Sequence, residues 1–312
     1  MSHSIERPYC VGLHEISLPE DARPRLSAVY AGLRDRQEDT AEWEDVLASL
    51  REQADGARAE KSPRSDRAAE LYRAAGADPK AAFSDSRLVG FDVLEGAAVL
   101  ALHSGPSAAF TVQAHRVLDG RHHVFEGESS QASRYPAVRD GVVDAVSRYQ
   151  PRARGTAPPA AAFCAANWYY LLKSDGDVAG DAQLVVTFAR RPGVTFSLNI
   201  HGLVEPAKEP PFAQRVARDL AELTRLGGQV KQLHAGERRY GGQSGEVVAI
   251  HVSGEGAGAG GDYKYFWHAP GRPMDAYVPE IEAELVAEGG HGIGQEELDT
   301  LWAELMEGFK LR

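Results

Sequence analysis

The sequence consists of two halves that resemble each other. Tyr9-Cys10-Val11-Gly12 opens a short apolar segment in the first half, and Phe163-Cys164-Ala165-Ala166 opens a similar one in the second. Each half closes on a segment in which apolar residues recur at i, i+4, i+7, i+8 and i+11, starting at Val138 and at Leu298. This spacing is typical of a helix that buries one face. We therefore predict a tandem pair of related domains, which would form a clamp or a cleft around another molecule.

The length of the chain fits this division. Its 312 residues suit two domains of about 150 residues, each large enough to bury its own core. Residues 151–162 are rich in Pro and Ala, and Pro158-Pro159 favours an extended spacer. We predict an N-terminal domain over residues 1–150, a linker over 151–162 and a C-terminal domain over 163–312.

The order of predicted elements indicates the fold class. In the first half we expect strands at 9–18, 25–33, 87–94, 97–103, 107–117 and 120–128, and helices from about 40, at 65–75 and at 135–149. In the second half we expect strands at 163–173, 182–189, 194–201, 229–238, 244–253, 262–269 and 279–287, and helices at 210–226 and from 295. Because strands are grouped between helices and joined by short turns, we predict an α+β fold in which each domain is a mostly antiparallel sheet with packed helices.

Charge and hydropathy exclude several classes of partner. The net charge of −11 disfavours binding to phosphate backbones and to anionic lipids. The sequence has no basic stripe that would compensate for this charge, so we expect no nucleic-acid partner. The sequence has no run of about 20 apolar residues, so we expect no membrane-embedded segment. It also begins without a basic region followed by an apolar stretch, so the sequence as given predicts no secretion signal.

The two cysteines occupy matching positions in the two halves. Two cysteines cannot form a disulfide framework or a zinc site by themselves. We interpret Cys10 and Cys164 as buried free thiols, with a bridge between the domains as the alternative.

Two glycine-rich segments superficially resemble catalytic or cofactor motifs. Gly256–Gly261 contains G-x-G-x-x-G, but a strand-like segment follows it where a dinucleotide site needs a helix. Ser244 lacks the G-x-S-x-G spacing of a nucleophilic serine, so Gly241-Gly242 is interpreted as a hairpin turn. We therefore predict no catalytic residues and no cofactor.

The histidines and acidic residues show no chelating pattern along the chain. His122 and His123 are adjacent in a strand and point to opposite faces. Glu280, Glu282 and Glu284 alternate with apolar residues, which is typical of a solvated strand face. We therefore predict no metal site.

An aromatic segment near the C terminus suggests a binding surface. Tyr263, Tyr265 and Trp267 share one face of a strand, which core packing explains first and a protein interface explains as the alternative. Tyr and Trp are enriched at protein interfaces. We therefore predict that Tyr240, Tyr263 and Tyr265 contact a protein partner.

Several segments together resemble a known family. They are Tyr9–Gly12 with Ile16–Pro19, Phe163-Cys164, Gly241–Val248, Tyr265–Trp267 with Ala269–Gly271, and the closing helix Glu296–Phe309 with Leu301-Trp302. With these segments the chain resembles the two-domain immunity proteins that protect bacteria against lipase effectors of type VI secretion. The resemblance implies a claw-like binder that grips a phospholipase toxin of α/β-hydrolase type and blocks its lid or active-site entrance. It also implies a periplasmic location, whereas the absence of a signal leaves the cytoplasm as the alternative.

These observations lead to one main hypothesis and two others. We predict a non-catalytic immunity protein that inhibits a secreted lipase. The alternative is a carrier of a small ligand or lipid, which would use the inter-domain cleft as its pocket. A hydrolase would require Ser244 together with a histidine such as His251.

Overall fold

The architecture was analysed in a computed structural model. It describes residues 7–30, 32–61, 66–76, 78, 86–104, 109–129, 134–152, 158–159, 162–164, 168–172, 180–206, 210–225, 227–254 and 260–312. Most of the predicted linker and the first part of the Gly256–Gly261 motif lie outside these residues.

Helices and strands alternate in groups along the chain. The strands of the first half are β1 (Arg7–Val11), β2 (His14–Leu18), β3 (Ala22–Tyr30), β4 (Leu33–Thr40), β5 (Leu88–Leu94), β6 (Ala97–His103), β7 (Phe110–Leu118), β8 (Arg121–Ser129) and β9 (Tyr149–Pro151). Those of the second half are β10 (Ala162–Cys164), β11 (Trp168–Leu171), β12 (Asp181–Phe188), β13 (Arg191–His201), β14 (Gly228–Tyr240), β15 (Gln243–Gly254), β16 (Asp262–Ala269), β17 (Glu280–Ala287) and β18 (Lys310–Leu311). The described helices are α1 (Trp43–Ala59), α2 (Asp66–Ala74), α3 (Tyr135–Ser147), α4 (Phe212–Arg225) and α5 (Gln295–Glu307). The predicted α+β class with mostly antiparallel sheet is confirmed.

The two halves share one topology. In the first, the strand order is β3-β4-β8-β7-β6-β5, and in the second it is β12-β13-β17-β16-β15-β14. In the first half two strands are followed by two helices, and in the second half two strands are followed by one helix. Four antiparallel strands and a closing helix then complete each half. The last strand of the four pairs with the second of the two early strands, β8 with β4 in the first half and β17 with β13 in the second. The repeat in the sequence therefore corresponds to a repeated arrangement of strands.

The compact units differ from the predicted domains at the N terminus. One unit contains Val29–Pro151, and the other contains Met1–Ala28 together with Arg152–Arg312. Strand β2 pairs with β18, so Leu311 lies opposite His14. Residues 7–28, which we expected in the N-terminal domain, thus pack with the second half of the chain.

A disulfide fastens this N-terminal segment. Gly12 and Cys164 exchange two backbone hydrogen bonds of 2.9 Å, and this pairing brings Cys10 close to Cys164. Cys10 and Cys164 are buried and joined, with a Cα–Cα distance of 6.1 Å. Our expectation of free thiols is therefore wrong, because pairing of distant strands supplies a bridge that spacing along the chain does not reveal.

The start of the chain corrects two further predictions. The segment predicted as one strand over 9–18 is a hairpin of β1 and β2, and Gly12 at its turn has a φ of 59°. The strand predicted over 25–33 ends at Tyr30 as β3, and residues 33–40 form a further strand, β4. Helix α1 begins at Trp43 with Glu42 as its N-cap, and no side chain caps it.

Helix α1 packs as its sequence predicts. Its buried residues are Val46, Leu47, Leu50, Ala54 and Ala57. They contact Ala98 and Leu100 of β6 within one apolar cluster. The spacing of three and four residues places these side chains on one helix face, and their burial attaches α1 to the sheet of this unit.

Candidate functional site

Tyr265 lies inside the core of the unit that contains the second half. Its side chain is fully buried, and its hydroxyl donates a hydrogen bond of 2.7 Å to Oδ1 of Asp299 on α5. Its ring also stacks on Trp302, with 5.8 Å between the ring centroids. Burial and the bond to Asp299 raise the pKa of Tyr265. In this structure the residue attaches α5 to the sheet.

The other two tyrosines are partly exposed. Tyr263 stacks on His251 of the neighbouring strand, with centroids 4.5 Å apart. Tyr240 meets Trp267 edge-on at 5.5 Å, at the end of the β14–β15 hairpin. Burial raises the pKa of Tyr240. The part that Tyr240, Tyr263 and Tyr265 take in partner binding stays a prediction.

The opposite face of the same sheet is covered by helix α4. The apolar face of α4 consists of Phe212, Val216, Leu220 and Leu223, which rest on Val248, Ile250, Val252 and Phe266. No residue of α4 is fully buried. A groove of about 600 Å³ remains beside the helix and has the charged side chains of Arg215, Lys264 and Glu282 in its wall.

A polar cluster lies at the N-terminal end of α4. His268 of β16 is directly opposite Glu282 of β17, and Glu280 precedes Glu282 by two residues on the same strand face. The Nε2 atom of His268 is 2.8 Å from Oε1 of Glu280. The guanidinium of Arg215 donates a hydrogen bond of 3.1 Å to Oε1 of Glu282. We call His268, Glu280, Glu282 and Arg215 the polar cluster.

A second histidine borders this cluster. His201 of β13 is opposite Glu280 in the sheet. Its Nδ1 atom lies 3.5 Å from Oδ1 of Asp181. The hydrogen bond to Asp181 and the nearby carboxylates of Glu280 and Glu282 raise the pKa of His201. The carboxylates therefore create a field that favours positive charge at this end of the sheet.

Sequence reasoning missed the polar cluster. The alternating glutamates were interpreted as a solvated face, and their strand does carry apolar residues on its buried side. Only the antiparallel register between β16 and β17 shows that His268 joins them. A search for histidines opposite acidic residues in consecutive predicted strands could have detected this arrangement.

The structure separates the residues that a hydrolase would need. Ser244 and His251 lie on one strand, seven residues apart, which corresponds to about 23 Å at the usual strand rise. An odd separation also places them on opposite faces of the strand. Ser244 is exposed, and Nε2 of His251 is 3.0 Å from the carbonyl oxygen of Gly260. They are not brought together as a nucleophile and a base.

The glycine-rich segments have the predicted surroundings. Gly241 and Gly242 both have positive φ in the turn between β14 and β15, so the predicted hairpin is confirmed. Strand β16 starts at Asp262, directly after Gly261. The segment that follows the glycine run is therefore a strand, as expected.

The adjacent histidines His122 and His123 have different partners. The Nε2 atom of His122 is 3.0 Å from Nδ1 of His115, and Nδ1 of His123 is 2.9 Å from the hydroxyl of Tyr149. Burial, together with His122 and Arg36, lowers the pKa of His115 to about 3. These contacts agree with the prediction that the two side chains point to opposite faces.

Two neighbouring loops expose large apolar side chains. Val204, Met274 and Tyr277 are 64%, 54% and 44% exposed. The backbone N–H of Met274 donates a hydrogen bond of 2.8 Å to the carbonyl of Leu203, which holds the loops together. Met274 has a φ of 59°, a conformation that non-glycine residues seldom adopt outside functional or strained positions. We call Val204, Met274 and Tyr277 the apolar patch.

None of the helices in the described ranges has both the length and the apolar character that a bilayer span needs.

Comparison with solved structures identifies the fold. The apo structure of the immunity protein TplEi of the T6SS from Pseudomonas aeruginosa is 16% identical, with a TM-score of 0.77 over 98% of this chain and 97% of that one. The protein also matches a chain of the Tle4-Tli4 complex at 16% identity and a TM-score of 0.77, over 100% of this chain and 99% of that one. TplEi in complex with an "L" peptide matches with a TM-score of 0.70 at 17% identity, over 98% of each chain. The fold is therefore that of the T6SS immunity proteins.

Sequence comparison then assigns the family. No curated protein matches the sequence. Residues 157–312 match the family model of the Tle cognate immunity protein 4 C-terminal domain. The chain belongs to this family, as the resemblance in its sequence led us to expect.

Proposed function

We propose that this protein binds a lipase effector of the Tle type and inhibits it, and so protects the producing cell from its own toxin. The observation that carries the proposal is the family match over residues 157–312. The fold shared with TplEi and with the Tle4-Tli4 complex over almost the whole chain supports it.

We propose that inhibition is non-catalytic. A hydrolase would require Ser244 as nucleophile and His251 as base within hydrogen-bond distance of each other. These two residues lie on opposite faces of strand β15, so they do not form such a pair. A binding protein of this kind acts by covering the lid or the active-site entrance of its target. Tight binding requires a few well-packed anchors surrounded by contacts that exclude water.

The apolar patch and the two partly exposed tyrosines are our proposed anchors. Val204, Met274 and Tyr277 place apolar side chains on hydrogen-bonded loops, so little conformational entropy would be lost on binding. Tyr240 and Tyr263 offer additional aromatic surface.

We propose a periplasmic location. A buried disulfide joins Cys10 to Cys164, and disulfides persist in oxidising compartments and are rare in the cytosol. Alkylation of thiols in separated cell fractions, followed by mass spectrometry, measures this directly. Free Cys10 and Cys164 in protein recovered from cells would contradict the periplasmic assignment.

The deciding experiment is an inhibition titration. We expect the cognate lipase to be encoded in a neighbouring gene; the purified protein is added to that lipase, and phospholipid hydrolysis is measured at fixed enzyme concentration. We expect activity to fall linearly and to end at a one-to-one ratio, and we expect an unrelated lipase to be unaffected. Unchanged hydrolysis at a large excess of the protein would contradict the proposal. A lipid co-purifying with the protein would instead favour the carrier.

A further inference from the structure

The polar cluster has the composition of a transition-metal site. It offers one imidazole nitrogen, from His268, and carboxylate oxygens from Glu280 and Glu282. These ligand atoms all lie within 4.8 Å of one another. Zn²⁺ is bound by His nitrogen and carboxylate oxygen at about 2 Å, so three ligands around one ion require small shifts of these side chains.

The sheet register fixes the three ligands before any ion arrives. Glu282 is directly opposite His268, and Glu280 is on the same face one pleat away. Because the ligands come from two paired strands, little backbone movement is needed to close the site. This geometry is independent of any loop.

Contacts around His268 also fix the imidazole. The Phe212 ring stacks on it with centroids 5.2 Å apart and an interplanar angle of 24°. The His268 side chain is buried, with 9% of the residue exposed. An ordered imidazole loses less conformational entropy on binding an ion than a free one does.

The site has access to solvent on both sides. Glu282 and Arg215 form part of the wall of the 600 Å³ groove, and His268 borders a second cavity of about 330 Å³ with Phe212 and Glu246. An ion can therefore reach His268 and Glu282 without unfolding of the sheet, as a binding site requires.

The charge balance favours a cation. Two carboxylates face one guanidinium, that of Arg215, which is bonded to Glu282. The His–carboxylate set favours Zn²⁺ and similar borderline ions over Ca²⁺ or Mg²⁺, which prefer oxygen ligands. Arg215 competes for Glu282, so a bound ion would displace it from that oxygen.

We propose that His268, Glu280 and Glu282 bind one Zn²⁺ ion at the N-terminal end of helix α4, in competition with the guanidinium of Arg215. A water molecule would fill the remaining coordination position. Since Phe212 and Arg215 both belong to α4 and both contact the cluster, binding of the ion also changes how α4 is attached to the sheet.

Zinc titration calorimetry tests the site. The tag-free, chelator-treated protein is titrated with ZnCl₂, and we expect one ion per chain. His268→Ala and Glu282→Gln should each lower the affinity by at least about tenfold, since each removes a ligand. Arg215→Met should raise the affinity, because it removes the competing cation; a merely structural role of the cluster would not produce that increase.

Matched controls exclude surface binding and misfolding. His251→Ala removes a histidine from the next strand, where it stacks on Tyr263 away from the cluster, and should leave the affinity unchanged. Far-UV circular dichroism of each variant verifies that it is folded. If the wild type takes up no zinc at stoichiometric concentration, or if folded His268→Ala and Glu282→Gln bind as well as the wild type, the proposal is wrong. Inhibition of the lipase is measured separately, so failure of the zinc site leaves the proposed function untouched.

Discussion

Cys10 and Cys164 form a disulfide although 154 residues separate them in the chain. The bond joins β1 to β10, beside the backbone bridge between Gly12 and Cys164. The first 28 residues therefore belong to the compact unit that the second half builds. The guanidinium of Arg312 donates a hydrogen bond of 3.1 Å to the carbonyl of Pro159 and lies 3.1 Å from Sγ of Cys10, which adds a third segment to this junction.

Removal of the disulfide should reduce stability strongly. The bond closes a long loop, so its loss should lower the free energy of unfolding by about 4 kcal/mol. Urea denaturation of the Cys10→Ser/Cys164→Ser variant measures the change. Reductant should lower the midpoint of the wild type but not that of the variant. An equal effect of reductant on both proteins would show that the bond does not form in solution.

The protein should lose stability in mild acid because of His14. This residue is fully buried and stacks on Phe309, and burial lowers its pKa from 6.5 to about 4. Its folded-state pKa lies below the unfolded value, so its contribution is complete above pH 6.5 and is lost as the pH falls towards 4. The loss approaches about 3 kcal/mol at the acid end.

Chemical denaturation at several pH values tests this assignment. His14→Gln should flatten the pH dependence between pH 6.5 and 4, because the titrating group is gone. His234→Gln, at an exposed position, serves as the control and should keep the wild-type slope. An unchanged slope in folded His14→Gln would assign the acid sensitivity elsewhere, for example to His115, whose pKa is also lowered.

Tyr265 and Tyr263 should respond differently to substitution. Tyr265→Phe removes the hydrogen bond to the carboxylate of Asp299, so we expect a loss of about 1.5–3 kcal/mol in unfolding free energy. Tyr263→Ala should weaken inhibition while the protein remains folded. Thermal unfolding and the inhibition titration measure both properties for each variant. Full inhibition by Tyr263→Ala would remove this residue from the proposed contact surface.

Gly245 and Gly56 together test how closely the backbone of β15 is packed, because one glycine is crowded and the other is not. A Cβ at Gly245 would overlap the carbonyl oxygen of His268 and the indole of Trp267, whereas a Cβ at Gly56 in helix α1 would meet no atom within 4 Å. We expect Gly245→Ala to destabilise the protein and Gly56→Ala to stabilise it by about 0.5–1 kcal/mol. Urea denaturation of both variants measures the sign. Stabilisation by Gly245→Ala would contradict the close approach of β15 and β16.

Strongly periodic elements could be predicted from the sequence, and polar ones could not. The apolar residues from Val46 to Ala57 recur every three or four positions, and they form the buried face of the helix that was predicted from about residue 40. Strand β4, Leu33–Thr40, contains mostly charged and polar residues, and it is a strand because it pairs with β8. Its residues carry no apolar alternation, so local reasoning placed no separate strand between the strand predicted at 25–33 and the helix predicted from about 40.

The predicted binding residues also divide into what local patterns show and what they do not. The sequence correctly placed Tyr265 beside Trp267 on one strand face, but it could not show that Tyr265 is covered by α5. Burial of a strand face depends on which element packs on it, and that packing is a long-range property.

The sequence by itself determined the duplicated plan, the α+β class and the family, because periodicity and local motifs depend on neighbouring residues. Only the tertiary structure decided that Cys10 meets Cys164, that the first 28 residues join the second half, and that His268 lies against Glu280 and Glu282. Each of these depends on the register between strands far apart in the chain, and that register is set by the packing of the whole unit.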